Sequence, residues 1–414
     1  MFRHVQLAFI VVALIGISAK AESFVQPFIS ASHNLNVESF TLTSHAVTPG
    51  CPVAWSVQKS RLHGGKQEGV DVIRLDNGKL QLLIVPTRGM NIVSVTLGDL
   101  RLGWDSPVKE IVNPAFINLT SRGGLGWLEG FNENIVRCGL EYNGHPGTDK
   151  FVNNVGVEAT MDLTLHGRIG NIPASEVEIV VDREAPYRIH VRGRVDERMF
   201  YGPKLTVQTD LSTEPGSDTF RIEDVVTNHG PSDQEFELLY HCNYGRPLLE
   251  DGSTFPGTVK RITPFNANAA KGTSTYIEYG PPRLGFIEQV YDMVPLAGKD
   301  GRAIVMLQNR NRDRAVSLTW FPEELPYFTL WKNTAAEEDG YVTGLEPGTN
   351  FPYNRRIERQ FGRVPKLPPG GTRHVAIDFA VLVGADAVKQ AAQQVARIQG
   401  NQQPAIDAAP EAKE

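Results

Sequence analysis

The chain has 414 residues, and its 41 lysines and arginines against 47 aspartates and glutamates give a formal net charge of −6. This balance argues against nucleic acid or an anionic membrane as the partner. The three cysteines, Cys51, Cys138 and Cys242, form at most one disulfide and have neither CxxC nor zinc-ligand spacing. Stability must therefore come from a large apolar core, which a chain of this length buries without cross-links.

The first segment has the pattern of a secretory signal. Arg3 precedes an apolar run over residues 5–17 that only Gln6 interrupts, and Ala19-Lys20-Ala21 has the small-x-small pattern of a signal peptidase site. The run is too short to span a bilayer comfortably, and no later stretch approaches ~18 apolar residues. We expect residues 1–21 to be a cleaved signal peptide and the mature chain to be soluble in the periplasm or secreted. An uncleaved N-terminal anchor is the alternative.

The 39 glycines and 27 prolines separate short runs of strand-forming residues. Many of these runs alternate apolar and polar side chains, which is typical of antiparallel sheets with one buried face. Asp76-Asn77-Gly78 between two runs predicts a hairpin. The predicted strands are 79–85, 91–97, 157–165, 176–181, 188–195, 204–211, 219–227, 234–240, 303–308, 315–320, 327–331 and 374–382.

The organisation of these runs predicts one domain. The sequence has no repeat of fixed period and no low-complexity linker before residue 385, so we expect a single all-β domain, a sandwich or barrel, over residues 22–384. Only residues 385–398 have a convincing helical pattern, and residues 400–414 are expected to be a disordered tail.

The stretch ELLYHCNYGRPLLEDG, residues 237–252, places His241 and Asn243 where a predicted strand ends and a glycine- and proline-containing loop begins. Histidine titrates near neutral pH, and the ends of rigid strands often present such groups to a cleft. A histidine satisfied within the core is the alternative. Which of these two interpretations applies depends on whether other candidate site residues occur elsewhere in the chain.

Two further segments combine a titratable residue with turn formers. His166 follows an alternating run and precedes Gly167, which allows a sharp turn and the close approach of a ligand. Glu346 lies between Gly344 and Pro347, where a fixed and partly desolvated carboxylate is a candidate base. A solvated loop glutamate is the alternative.

Aromatic and basic residues complete the set of candidates. Trp331 offers an apolar platform and Lys332 a hydrogen-bond donor, and Arg88 and Arg137 are available cations. The glycine-rich stretch at 123–126 is not a phosphate loop, because it lacks the required glycine spacing and no helix is expected after it.

LHG at 165–167, LYHCNYG at 239–245 and GLEPGTN at 344–350 resemble, in order and spacing, the aldose 1-epimerase (galactose mutarotase-like) superfamily. RGM at 88–90, CGL at 138–140 and WK at 331–332 extend the resemblance to a bacterial epimerase-like branch. The resemblance implies a large antiparallel β-supersandwich with a sugar cleft on one sheet. It is more specific for the fold than for the reaction.

The resemblance also implies roles for individual residues. His241 matches the superfamily's histidine acid, Glu346 its carboxylate base and His166 a histidine that orients the sugar. The superfamily's substrate-binding arginine and aspartate match less clearly, with Arg88 or Arg137 for the first and Asp292 for the second. Asn243, Trp331 and Lys332 are the remaining expected substrate contacts.

These residues predict interconversion of the α and β anomers of an aldose. The reaction needs one base for the C1 hydroxyl and one acid for the ring oxygen, and it needs no metal or other cofactor. One alternative is a metal-dependent enzyme in which His166, His241 and Glu346 form a two-histidine, one-carboxylate site. The other is a non-catalytic carbohydrate-binding protein, or a processing enzyme for oligosaccharides, that uses the same cleft.

Overall fold

The computed structural model describes residues 23–411, so the predicted signal peptide lies outside the described residues. Strands are the predominant regular structure of the described chain. The strands, numbered in chain order, are β1 Phe24–Ser30, β2 Leu35–Asn36, β3 Phe40–Thr43, β4 Ser56–Arg61, β5 Asp71–Asp76, β6 Leu80–Val85, β7 Asn91–Leu97, β8 Leu100–Leu102, β9 Ile135–Leu140, β10 Gly147–Val152, β11 Glu158–Leu163, β12 Glu176–Val181, β13 Ile189–Arg198, β14 Lys204–Thr213, β15 Thr219–Asn228, β16 Gln234–Glu235, β17 Glu237–Tyr244, β18 Val259–Pro264, β19 Gln289–Pro295, β20 Ala303–Gln308, β21 Arg314–Trp320, β22 Tyr327–Asn333, β23 Val342–Gly348, β24 Lys366–Leu367, β25 Thr372–Val383 and β26 Ala405–Ile406.

Helices are short, with one exception near the C-terminus. They are α1 Ser44–Val47, α2 Ser121–Gly124, α3 Ala267–Ala270, α4 Arg355–Gln360 and α5 Ala385–Gln399. Single 3₁₀ turns connect several strands, among them Pro86–Arg88 after β6 and Gly126–Gly130 before β9. Among residues 23–411, no helix has the length and apolar character needed to cross a membrane.

Two large sheets form the body of the protein. One has nine strands in the order β2-β1-β12-β13-β14-β15-β25-β21-β20, and we call it the nine-stranded sheet. The other, the thirteen-stranded sheet, has the order β26-β18-β19-β22-β23-β17-β9-β7-β6-β5-β4-β3 with β8 on β7. Two-stranded sheets, β10-β11 and β16-β24, complete the described architecture. Among the paired strands of residues 23–411, only β18 and β26 run parallel.

The core lies between the two large sheets, and alternation of side chains builds it. Along β13, Ile189, Val191 and Val195 are fully buried, while Arg192 and Arg194 remain on the outer face. The same alternation along the other strands places aliphatic side chains from both sheets in one continuous apolar cluster. This arrangement confirms the predicted antiparallel β-supersandwich.

The predicted hairpin at residues 76–78 joins β5 to β6. Gly78 adopts the left-handed conformation, with a φ of 88°, which a glycine takes without strain. Oδ1 of Asn77 accepts the backbone N–H groups of Lys79 and Leu80 at 2.9 and 2.7 Å. The turn chemistry read from the sequence therefore forms this connection.

The C-terminal segment differs in part from the prediction. The predicted helix is present as α5, but residues 401–411 are not the expected disordered tail. Strand β26 pairs with β18, and Oδ2 of Asp407 accepts from Nε of Arg261 and the hydroxyl of Thr263 at 2.7 and 2.5 Å. The polar composition of residues 401–411 suggested disorder, but polar and charged side chains of the edge strand β18 bind this segment.

All three cysteines are free thiols.

Candidate active site

Five neighbouring strands of the thirteen-stranded sheet bring four polar side chains into one row across its outer face. Val136 on β9 lies opposite His241 on β17, Glu346 on β23 lies opposite Thr329 on β22, and Thr329 lies opposite Asp292 on β19. Side chains at directly opposed positions share a face. The row therefore runs His241, Glu346, Thr329, Asp292 on the face away from the core.

The pairing of β17 with β23 sets the central contact of this row. Leu239 pairs with Gly348, and Cys242 pairs with Leu345. The two positions between these pairs are not hydrogen-bonded as a ladder, and one of them on β23 is Pro347, which has no N–H to donate. The register is the same on both sides of this gap, so His241 stays opposite Glu346. Residue 346 therefore lies within a strand and not in the predicted tight loop, because pairing to two neighbours outweighs the local turn propensity.

His241 is held in one orientation by its own strand. Its Nδ1 lies 2.6 Å from Oδ1 of Asn243, and the amide of Asn243 donates to the backbone oxygens of Glu133 and His241 at 3.1 Å each. These bonds leave the amide oxygen as an acceptor, so Nδ1 carries the proton and the lone pair is on Nε2. Burial lowers the pKa of His241 to about 4, so the ring is neutral near neutral pH.

Glu346 lies directly against that lone pair. Its Oε1 is 3.2 Å from Nε2 of His241, yet the two atoms are not aligned as a hydrogen bond, and Oε1 has no hydrogen-bond partner among the described residues. Burial raises the pKa of Glu346 well above its ordinary value, and nearby Glu288 and Asp292 raise it further. Burial therefore favours the neutral form of both groups, whereas the resemblance implies a carboxylate and an imidazolium.

His166 lies beside His241, on the loop after β11. Its φ of 57° is left-handed, and its Nδ1 lies 2.9 Å from the backbone oxygen of Asn143, which fixes the ring with Nε2 as an acceptor. The imidazole rings of His166 and His241 are 5.2 Å apart between centroids. A Cβ at Gly167 would overlap the carbonyl oxygens of Tyr142 and Gly139. The close approach predicted at this glycine is thus made by backbone and not by a ligand.

Aromatic rings form the walls around the two histidines. The ring of Trp127 lies 4.7 Å from that of His166, and the rings of Phe131 and Trp331 each lie 5.3 Å from that of His241. Trp331 is partly exposed, and its Nε1 donates to Glu288 at 2.7 Å. Such an aromatic surface is of the kind that packs against the C–H faces of a sugar ring.

Two of the predicted cations lie on the wrong face of the sheet. Arg137 extends into the core, where its guanidinium donates to Asp224 at 2.5 and 2.9 Å and to Thr209 at 2.6 Å. Lys332 also points toward the core and donates to three backbone oxygens of residues 275–278, and burial lowers its pKa to about 8. Both residues are therefore structural, because strand alternation turns them away from His241 and Glu346.

Arg88 is close to the site but fully engaged. It donates to Oε1 of Glu133 at 2.7 Å and to the backbone oxygens of Val112 and Gly130. The backbone oxygen of Glu133 in turn accepts from Asn243. Arg88 therefore supports the loop that carries Phe131 and is not available to a ligand.

Asp292, unlike Arg137 and Lys332, lies on the same face of the sheet as His241 and Glu346. It lies on the outer face in the polar row, its Oδ1 has no hydrogen-bond partner among the described residues, and burial raises its pKa well above the ordinary value. Sequence reasoning missed Thr329, whose only signal was its place two residues before Trp331 on a predicted strand. It also missed Phe131, for which the sequence offered no signal.

A metal site would need at least three suitably grouped ligands. Among residues 23–411, no group of three or more His, Cys, Asp and Glu side chains has an arrangement that could hold a metal ion.

The two-sheet architecture and the outer-face site define a galactose mutarotase-like β-supersandwich. A candidate aldose 1-epimerase from Klebsiella pneumoniae has the same fold with a TM-score of 0.89 and 39% sequence identity, over 95% of this chain and 100% of that one. A galactose mutarotase-like protein from Clostridium acetobutylicum matches with a TM-score of 0.53 and 13% identity, over 79% of this chain and 98% of that one. At that identity the second likeness concerns the fold alone.

The family described as "Domain of unknown function (DUF4432)" matches residues 67–381, and the chain belongs to it. The matched region contains the whole polar row and both histidines. Among curated proteins no match was found.

Proposed function

We propose that this protein is an aldose mutarotase, which opens and recloses the ring of a sugar by paired proton transfer. The observation that carries the proposal is the 3.2 Å contact between Nε2 of His241 and Oε1 of Glu346, which are buried among aromatic rings. One atom is a proton acceptor and the other belongs to a proton donor, so a sugar bound across them meets both groups that the reaction needs.

The directions of the two pKa shifts support one order of proton transfer. Nε2 of His241 takes the proton of the C1 hydroxyl while the carboxyl group of Glu346 gives its proton to the ring oxygen. The bond between C1 and the ring oxygen breaks, and C1 becomes an aldehyde. Rotation about C1–C2 turns the other face of the aldehyde toward the C5 hydroxyl. Closure reverses both transfers, so each residue regains its starting state and no external proton is consumed.

His166 and Asp292 complete the substrate site in this proposal. His166 presents Nε2 as an acceptor for a sugar hydroxyl because its Nδ1 is bound to the backbone oxygen of Asn143. Asp292 lies at the other end of the row, and its Oδ1 has no hydrogen-bond partner within residues 23–411. The substrate is a small carbohydrate, and the N-terminal pattern supports export to the periplasm or beyond.

A non-catalytic sugar-binding protein is the main competing proposal. It would use the same walls and polar row but would not need the proton affinities of His241 and Glu346. The 3.2 Å contact between a histidine and a glutamate whose pKa values burial shifts in opposite directions favours an enzyme, because acid–base sites combine such shifts with direct contact.

The deciding experiment measures exchange between α and β anomeric protons by NMR, across a panel of neutral and acidic aldoses. We expect the wild-type protein to accelerate exchange of at least one sugar, and Glu346→Gln and His241→Asn each to lose roughly 10²–10⁴-fold of that rate. His374→Asn is the matched control, because His374 is exposed and pairs with Glu223 and Glu324 on the nine-stranded sheet. Sugar binding without accelerated exchange would favour the binding protein.

A further inference from the structure

Two hairpins of the protein end in exposed apolar side chains. Phe200 and Tyr201, in the turn between β13 and β14, are 81% and 65% exposed. Val152 at the end of β10 and Val155 in the turn after it are 71% and 72% exposed. Single exposed apolar residues are common on protein surfaces, whereas a cluster of them marks an interaction site.

Both hairpins border one groove of about 970 Å³. Residues 199–203, which we call the aromatic tip, line one part of it, and the hairpin β10-β11, which we call the arm, lines another. The exposed apolar residues of the lining are Met199, Phe200, Tyr201, Phe151 and Val152. The apolar side chains of the two hairpins therefore share one concave surface.

The aromatic tip is held rigidly before it meets a partner. Nζ of Lys204 donates to the backbone oxygens of Phe200 and Gly202 at 3.1 Å each. The rings of Phe200 and Tyr201 lie against each other, with centroids 4.2 Å apart. A second hollow, of about 330 Å³, borders Phe200 as well. The aromatic pair thus projects into open space and loses little conformational freedom when it binds.

The arm is fixed at one point and otherwise weakly covered. Each of its strands has one buried residue, Asp149 on β10 and Leu163 on β11. The carboxyl group of Asp149 accepts from Arg355 and Arg359 at 2.8 and 2.9 Å. A two-stranded hairpin is marginally stable in water unless another element packs on it. A partner that covers the arm would therefore stabilise it.

The charges around the groove are of both signs. Six lysines and arginines and four aspartates and glutamates line it. Several are paired within the chain, among them Arg359 with Glu235 at 2.7 Å and Arg168 with Glu141 at 3.1 Å. A lining of mixed sign does not select a partner of one strong charge, such as nucleic acid or an anionic lipid surface. It suits a second copy of the chain, because a twofold axis can bring the basic part of one copy against the acidic part of the other.

The apolar area is large enough for a stable dimer. At about 150–250 Å² for a whole aromatic side chain, the exposed fractions of Phe200 and Tyr201 amount to roughly 300 Å². With Met199, Phe151 and Val152, which are 54%, 39% and 71% exposed, the apolar area reaches roughly 600 Å². Since a little over half of an interface is apolar, this area implies roughly 1,000 Å² per partner, against about 800 Å² in a standard complex.

We propose that this groove is the docking surface for a second copy of the chain. A twofold axis relates the two copies, and the aromatic tip of each enters the groove of the other. Because the tip borders the groove, both contacts form together and the assembly closes as a dimer. The dimer contact is independent of the proposed function, since it uses residues outside the polar row.

The dimer contact also covers the segments that hold His166. Glu141 and Tyr142 line the groove and directly precede Asn143, whose backbone oxygen lies 2.9 Å from Nδ1 of His166. Arg168, two residues after His166, lines the groove as well. The second copy therefore packs on the outside of both segments.

The first measurement is the mass of the protein in solution, by sedimentation velocity over a range of concentrations. We expect a dimer at micromolar concentration. Phe200→Asp in the tip and Phe151→Asp in the groove should each raise the dimer dissociation constant roughly 10²-fold, because a charge replaces an aromatic anchor of the interface. Leu284→Asp is the matched control and should dimerise like the wild type, since Leu284 is 85% exposed between α3 and β19 and does not line the groove. Thermal melting checks that all three variants are folded.

A mixture of the two weakened variants tests the arrangement of tip and groove. The Phe200→Asp copy keeps an intact groove, and the Phe151→Asp copy keeps an intact tip. One of the two contacts in the mixed dimer is therefore complete, whereas both contacts are damaged in the dimer of either variant alone. We expect the mixed dimer to be roughly 10-fold tighter than either of those dimers, because two defects within one contact cost less than their sum.

The other possible outcomes overturn the proposal. A wild-type protein that stays monomeric up to about 100 µM does so, as does a dimer that neither substitution weakens. A mixture that associates no better than its components contradicts the entry of the tip into the groove. A monomer that binds vesicles of phosphatidylglycerol and phosphatidylethanolamine through Phe200 would assign the surface to a membrane instead. None of these measurements uses anomeric exchange, so their results are separate from the test of the proposed function.

Discussion

Gly344 leaves the space that the carboxyl group of Glu346 occupies. A Cβ at position 344 would overlap Oε1 of Glu346 and lie 3.2 Å from Cε1 of His241. The glycine that suggested a turn in the sequence therefore has another purpose. It lets the carboxyl group lie back along β23, against the imidazole of the neighbouring strand.

Gly344→Ala should displace that carboxyl group without unfolding the protein. We expect roughly 10²-fold slower anomeric exchange, because a displacement of about 1 Å is enough to misplace a catalytic group. Gly280→Ala is the control, since a Cβ there meets nothing within 4 Å. NMR exchange and thermal melting measured on both variants check the result. Unchanged exchange in Gly344→Ala would mean that Glu346 does not act from its observed position.

The dependence of exchange on pH should follow the protonation of the central pair. His241 acts as a base only when it is neutral, so activity should fall as pH drops through its pKa of about 4. Glu346 acts as an acid only when it is protonated, so activity should also fall as pH rises through its raised pKa. The profile is bell-shaped, with apparent pKa values that belong to the pair. Activity that rises steadily with pH would contradict this assignment.

Glu237 should make the folded state less stable as pH rises. Burial raises its pKa from 4.5 to about 8, so the unfolded chain releases the proton near pH 4.5 while the folded protein holds it. Stability contributed by this group is full below pH 4.5 and is lost progressively up to about pH 8. Glu237→Gln should remove this pH-dependent loss of stability and raise the unfolding free energy at pH 8 by about 2–4 kcal/mol. Urea unfolding at pH 5 and pH 8 measures it. An equal effect at both pH values would argue against the raised pKa.

Arg137→Met tests the assignment of Arg137 to the core. The substitution leaves Asp224 buried, with the hydroxyl of Tyr240 at 2.6 Å as its one remaining side-chain hydrogen-bond partner among residues 23–411. Loss of one member of a buried ion pair typically costs about 3–5 kcal/mol. We expect a large drop in unfolding free energy, while sugar affinity at a temperature where the variant is folded stays the same. Weaker sugar binding with an unchanged unfolding free energy would contradict this assignment and indicate that Arg137 contacts the substrate.

The alternation of apolar and polar residues along a strand explains which parts of the architecture could be predicted from the sequence. β12, β13 and β15 have one buried and one outer face, and their patterns predicted both the strands and the antiparallel class. β9 is buried throughout, and β23 contains two glycines and a proline. Neither has an alternating pattern, so their existence depended on partners that are distant in the sequence.

The predicted site residues also divide into those that the structure brings together and those that it places in the core. His166, His241 and Glu346 were identified from short motifs, and the structure brings all three together. Arg137 and Lys332 were chosen for their charge and their place in the same motifs, but the pleat of each strand turns them into the core. Local sequence indicates which residue types are present, whereas the register of the sheet decides which face they occupy.

The sequence by itself determined the antiparallel β class, the hairpin at Asn77 and the identity of the two histidines and the glutamate. Only the tertiary structure decided that His241, Glu346, Thr329 and Asp292 form one row, and that burial raises the pKa of Glu346 and lowers that of His241. The physical reason is that turn propensity and alternation act over a few residues, whereas strand register and desolvation arise from contacts between segments that are often more than a hundred residues apart.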